Sequence, residues 1–165
     1  MNPIDPILME MSQEAATTRR LLERVPAQHL AWKPHVKSMT MGRLATHIAE
    51  IPGWVSTILD KDGFDVGASN YTPQTAGSVA EVLEMFDRSI AAAEAAIRRQ
   101  TMDRLSATWR ITKQGQLMVE MPRMGVIRSL LLNHLIHHRG QLSVYLRLKD
   151  VPLPSIYGPT ADTPM

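Results

Sequence analysis

The run Asn133-His134-Leu135-Ile136-His137-His138-Arg139-Gly140-Gln141 places half of the chain's six histidines within five positions, in a segment whose apolar spacing reads as a buried helix. With His134 as zero and about 100° per residue, Ile127, Leu130, Leu131, Leu142, Tyr145 and Leu148 fall between about −40° and +80°. His134 then sits at the centre of the inward face with His138 about 40° round, one turn on, while His137 lies at the edge near about −60°. Two neutral imidazoles on successive turns can hold one divalent ion if a third ligand comes from elsewhere. The same pattern also fits core histidines satisfied by hydrogen bonds. It is not the zinc-protease helix signature, because Leu135 follows His134 and no glutamate supplies a general base there. A carboxylate-bridged di-metal bundle is excluded as well, since no Asp or Glu lies between Arg123 and Lys149.

Three further side chains share this neighbourhood. Gln141, at about −20°, can hydrogen-bond a ligand, orient a histidine or cap a core polar group. Tyr145, at about 20°, is aimed inward but stands some three turns from His134, where tyrosines are mostly core. Trp54 either lines a pocket or packs in the core. Arg139 projects at about 140°, which suits a structural salt bridge or a dimer contact better than anion binding.

The elements that must position these residues are mostly helical. Ile4, Ile7, Leu8, Met11, Ala15, Leu22 and Val25 mark a first helix ended by Pro26, and residues 26 to 39 read as a connection anchored by Leu30 and Trp32. Thr40 caps a second helix with the stripe Leu44, Ile48, Ile51, Val55 and Ile58. His47 lies on its shoulder, about 60° from Leu44, and is the third histidine candidate. Glu50 lies about 120° from Leu44, a poor position for a ligand. Pro52 removes a backbone donor and should kink this helix just after the His47 turn. The Gly-, Ser- and Thr-rich stretch 61 to 77 suggests a long loop. A third helix follows from Val79 to Ile97, with Ser78 and Glu81 as a capping box. Trp109 to Ile111 and Leu117 to Val119 flank a polar stretch that is either a hairpin or an extended connection. A fourth helix is expected from Arg123 to Lys149, after which Pro152, Pro154, Pro159 and Pro164 leave an extended tail. The expected fold is all-α: one domain over residues 1 to 165, an antiparallel four-helix bundle whose site is built from facing helices.

Composition narrows the function. A formal charge of +2 and the lack of any Lys/Arg-rich tract argue against nucleic acid as a partner. No window approaches the roughly 20 apolar residues of a membrane span, and Met1-Asn2-Pro3 opens without a basic flank, so a cytoplasmic location is expected. The absence of cysteine excludes disulfides, thiolate ligands and a protein thiol nucleophile. Any thiol in the chemistry is a separate molecule.

The chain resembles the DinB family within the DinB/YfiT-like superfamily of metal-binding four-helix bundles. The matching residues are Leu44-Ala45-Thr46-His47-Ile48-Ala49, then Asn133 to Leu142, Tyr145-Leu146-Arg147, and Pro154-Ser155-Ile156-Tyr157-Gly158-Pro159-Thr160-Ala161-Asp162. The resemblance implies a triad of His47, His134 and His138 around one divalent metal per chain, zinc or nickel first, and a homodimer. It leaves His137, His29 and His35 at the surface or behind the ligands. Related proteins resemble thiol-dependent transferases or isomerases that use a low-molecular-weight thiol, so the expected partners are a small-molecule substrate or thiol.

No catalytic residue is singled out by this pattern. Three imidazoles leave coordination positions open, as in catalytic rather than closed structural sites, which suits thiol-transferase-like or hydrolase-like chemistry. The alternative is a non-catalytic module, a helical-bundle dimer that binds metal or a small molecule and uses the histidines to clamp two helices.

Overall fold

The computed structural model describes residues 4–68 and 71–163, so Met1 to Pro3 and Pro164 lie outside the described residues. Four helical arms surround the core: α1 (Asp5–Leu22), α2 (Met41–Glu50) continued by α3 (Trp54–Asp60), α4 (Val79–Arg98), and the arm ending in α7 (His134–Arg147). Both α1 and α2 pack against α4 and α7. Their shared interior is filled by Met11, Leu22, Ile48, Phe86, Leu131 and Leu142, each at most 1% exposed.

Local chemistry sets the helix ends. Thr40 Oγ1 accepts from Arg43 N at 3.1 Å and starts α2 where the sequence predicts. Pro52 cannot donate to the preceding turn, and the chain tightens into a 3₁₀ turn, Ile51–Gly53, before α3 resumes. The apolar stripe survives the break, with Val55 and Ile58 buried. At α4, Ser78 Oγ accepts from Glu81 N at 3.2 Å, but Glu81 Oε2 accepts from Gly77 N at 2.8 Å. The expected box therefore closes one residue before the cap.

The all-α expectation needs correction, for the fold carries a three-stranded sheet in the order β1 (Gly63–Asp65), β2 (Thr108–Lys113) and β3 (Gln116–Pro122). β2 and β3 form an antiparallel hairpin, which resolves the open alternative. Its turn runs through Gln114 and Gly115 with φ of 52° and 80°, the left-handed region that glycine enters most easily. β1 pairs in parallel with β2, in a stretch whose composition suggested a loop. The Asp65 carboxylate supplies the reason. It accepts from Gln114 N and Gly115 N at 3.1 Å and from Gly67 N at 2.8 Å, bonds that hold its pKa down at about 2. A short helix, α5 (Met102–Ser106), capped by Thr101, precedes the hairpin.

The fourth arm also departs from a straight helix. It begins as α6 (Arg123–Val126), widens into a π-helical stretch, Ile127–Asn133, and returns to α-helix at His134. A wider turn changes the angular phase, so extrapolation back from His134 holds for Ile127 and Leu131, which are buried as expected, but not throughout. Leu132, placed at about 160° by straight-helix arithmetic, is fully buried. The core-facing side of α7 is carried by Leu135, Arg139, Leu142 and Leu146, whose centre is about 110° from His134. His134 and His138 thus stand at the edge of the buried face rather than its centre, and Leu148, expected inward, is 56% exposed.

Two arginines lie in this interior at no more than 2% exposure. Arg139 pairs with Glu14 at 2.6 Å and donates to Thr18 Oγ1 and to the Tyr157 hydroxyl, which itself donates to Glu14. Residues 151–163 form bends and turns that fold back on the helices through this contact and through Asp162, which pairs with Arg147 and accepts from Leu153 N. They are not a simply extended tail. Arg123 donates to the carbonyls of Ile58, Lys61, Ala107 and Thr108 and to Asp62 Oδ1, joining the end of α3 to the hairpin. No described helix is long and apolar enough to cross a membrane.

Removing the Arg123 guanidinium strands buried carbonyls and an ion-pair partner, so Arg123→Ala should lower unfolding stability by about 3–5 kcal/mol. Urea denaturation checks this, and a loss under about 1 kcal/mol would mean that water can take over the carbonyls.

Candidate metal centre

His47 reaches the centre from the second turn of α2, while His134 and His138 reach it from the first two turns of α7. Their convergence uses one atom type. His47 Nε2 lies 3.3 Å from His134 Nε2, which lies 2.7 Å from His138 Nε2. Two nitrogens on one tetrahedral zinc, each at about 2.0–2.1 Å, stand roughly 3.3–3.4 Å apart. The first separation meets that value and the second is tighter by about 0.6–0.7 Å.

Two of the three rings have a hydrogen-bond partner outside the cluster, and the third faces a carboxylate. His138 Nδ1 is 2.7 Å from Gln141 Oε1, and the Leu130 backbone hydrogen-bonds the His134 ring. His47 Nδ1 lies 3.6 Å from Glu50 Oε2 and is buried without a hydrogen bond. Acceptors on the outside put the ring protons on Nδ1, which turns the Nε2 lone pairs toward one another. Facing lone pairs repel unless a proton or a cation lies between them. The donor set therefore fits a divalent ion bound through Nε2, with the outer partners fixing tautomer and ring orientation.

The electrostatics favour the same neutral state. Burial lowers the pKa of all three histidines, and mutual repulsion among the rings adds to it for His47 and His134; His134 is pushed down to about 4. At neutral pH the cluster resists protonation and keeps its lone pairs for a ligand.

Of the other residues read from the sequence, Trp54 packs its ring 5.3 Å from that of His134 and 5.7 Å from that of His47. His137 is exposed, its ring 4.8 Å from His138, at the edge of the cluster. Gln141 is exposed as a residue although its amide oxygen reaches His138. Tyr145 lies elsewhere: it meets Trp32 edge-on at 5.8 Å and its hydroxyl donates to the Met39 carbonyl, because core packing, not the site, claims its face of α7.

Two contributors escaped the sequence. Glu50, a poor ligand by angle, instead faces the outer nitrogen of His47, held there by Arg43 Nη2 at 2.9 Å and the Tyr71 hydroxyl at 2.8 Å. A carboxylate one turn after a histidine is a signal for such support, though not for ligation. Tyr71 comes from the polar stretch after β1, where nothing local marks it.

The lowered histidine pKa values carry a sign. The unfolded chain takes up these protons near pH 6.5 and the folded cluster only further down, so the metal-free protein should lose stability as pH falls from about 6.5 toward 4. Urea midpoints across that window should drop for the native chain and drop less for His134→Leu. Parallel slopes would mean that His134 is not the group responsible.

Comparison with known proteins sets this geometry among relatives. YrdA of Bacillus subtilis (strain 168), an uncharacterised protein, is 28% identical over 159 residues, 96% of this chain and 90% of that protein. A DinB-like protein of Bacillus cereus ATCC 10987 superposes with a TM-score of 0.70 at 21% identity, over 91% of this chain and 95% of the other. A mutant of the mycothiol-dependent maleylpyruvate isomerase gives a TM-score of 0.57 at 14% identity, over 81% of this chain and 60% of the isomerase. The DinB family pattern matches residues 1–164, and the chain belongs to the DinB family.

Proposed function

We propose that His47, His134 and His138 bind one divalent cation per chain, zinc or nickel, and that the site serves thiol-dependent chemistry on a small molecule, of the transferase or isomerase type. The observation that carries this reading is the meeting of three Nε2 atoms from two helices while the outer nitrogens face Gln141, Leu130 and Glu50. The isomerase that shares the fold is named for its thiol, which supports the choice of thiol chemistry over hydrolysis. A homodimer remains part of the proposal.

A divalent ion held here supplies positive charge that draws the proton from a neighbouring thiol or water at neutral pH. The chain's own groups do the positioning. Gln141 and Glu50 hold the rings of His138 and His47, and Arg43 and Tyr71 hold Glu50. Trp54 covers one flank of two of the rings and keeps water from it. His47 and His134 are only half-buried, so a reactant can approach the cluster from outside.

Mass spectrometry of chelator-free protein should find one metal ion per chain, and none in the His134→Ala/His138→Ala variant. Competition with a chelator should show metal affinity lowered about 10- to 100-fold by Gln141→Ala and by Glu50→Ala, the range usual for partners behind a ligating histidine. A panel of low-molecular-weight thiols and electrophiles then tests catalysis. Metal at one per chain with no thiol-dependent turnover would leave the site a clamp between α2 and α7, and no metal at all would overturn the reading.

A further inference from the structure

Beside the histidine cluster lies a cavity of about 630 Å³, bounded by α3, β1, the hairpin and the π-helical stretch. The size is that of pockets that take small organic ligands. Its wall is largely apolar and aromatic, built by Trp54, Phe64, Trp109, Ile111 and Leu130, and no histidine lines it. Val66 and Tyr71, 45% and 54% exposed, are the wall residues nearest solvent.

Three wall residues connect the cavity to the centre. Trp54 packs on the rings of His47 and His134, the Leu130 backbone bonds His134, and the Tyr71 hydroxyl bonds Glu50. The pocket is open to solvent at the Val66 and Tyr71 side, and its apolar walls forfeit dispersion contacts until something fills it. Here the walls are braced apart. Arg123 ties the end of α3 to the start of β2, and Asp65 pins β1 to the hairpin turn.

We infer that this cavity binds the flat apolar body of a small-molecule ligand, an aryl or fused-ring compound whose carboxylate or thiolate faces the histidine cluster. Aromatic walls favour a planar body, which they meet by stacking or edge contacts. The anionic head follows from the neighbour, because a divalent ion held by the histidines that Trp54 packs against would reward negative charge at that end of the cavity. That half of the inference rests on the metal-site reading, whereas the apolar half does not.

Calorimetric titration of 2-naphthol and 2-naphthoate into metal-free and zinc-loaded full-length protein tests both halves. Both compounds should bind once per chain without metal, and zinc should tighten 2-naphthoate at least tenfold while leaving 2-naphthol within twofold. Ile111→Trp, which fills the space, should abolish both and leave zinc content unchanged. Should that variant fail to fold by circular dichroism, Val66→Trp at the exposed rim should weaken both at least tenfold. Failure of either compound to bind in either form would overturn the inference, as would binding indifferent to both tryptophan variants. Binding of 2-naphthol by a protein that takes up no zinc would uphold the cavity and overturn the metal reading. Zinc uptake with no effect on 2-naphthoate would overturn the orientation of the head group.

Discussion

Three imidazoles cannot be turned inward on the same atom without something between them, and the centre of this bundle is organised around that constraint. The Nε2 atoms of His47, His134 and His138 meet at 2.7 and 3.3 Å, closer than three unshared lone pairs tolerate. An added proton would relieve the repulsion only as a charge that burial disfavours on each ring, and a neutral tautomer that donates from one Nε2 to the next relieves it for one pair at a time. What remains is a three-histidine group whose donor set could hold a metal ion. The surroundings follow from the same need, since a ring that offers Nε2 must place its Nδ1 proton, and Gln141 and Glu50 stand where those protons go.

The second organising element is a pair of buried cations. Arg123 and Arg139 are as hidden as the aliphatic core, which is tolerable because all three guanidinium nitrogens of Arg123 and both Nη atoms of Arg139 meet acceptors. Arg139 fastens α7 to α1 and so fixes the rotation of the helix that carries two of the histidines. Arg123 sits where the chain passes from hairpin to helix and gathers the loose carbonyls of three segments. One arginine therefore sets the angle of the site and the other sets the distance between the cavity walls.

The histidine pair at i,i+4 and the shoulder position of His47 were legible because regular helices convert spacing into direction. The Thr40 cap and the break at Pro52 were legible for the same local reason. The rotation of α7 was not. The π-helical stretch shifts the phase at Leu132, and Arg139, whose angle suited a salt bridge or a dimer contact, makes that salt bridge with a partner on α1 that no local pattern announces. Glu50 was discounted as a ligand on its angle, and that angle suits the outer nitrogen of His47 instead. Tyr145, aimed inward by arithmetic, takes the core role that its distance from His134 favoured, against Trp32 and Met39. β1 and Tyr71 lie in a stretch of loop-forming residues. Their order comes from Asp65 and Glu50, contacts made across some 50 and 21 positions of sequence.

The separation between centre and cavity bears on how a fold shared at low identity can serve different reactants. The donors come from α2 and α7, the arms that the bundle itself holds in place. The cavity walls come largely from α3 and the small sheet, which join the bundle through Arg123 and Asp65 and can change side chains without touching a ligand nitrogen. Substitutions at Phe64, Ile111 or Trp109 alter shape and polarity more than 10 residues from any ligand in sequence, while Trp54 transmits the wall's position to two of the rings. On the proposed reading, selectivity for a reactant varies with the hairpin while the chemistry stays with the triad, because the two are built on different elements joined at one tryptophan.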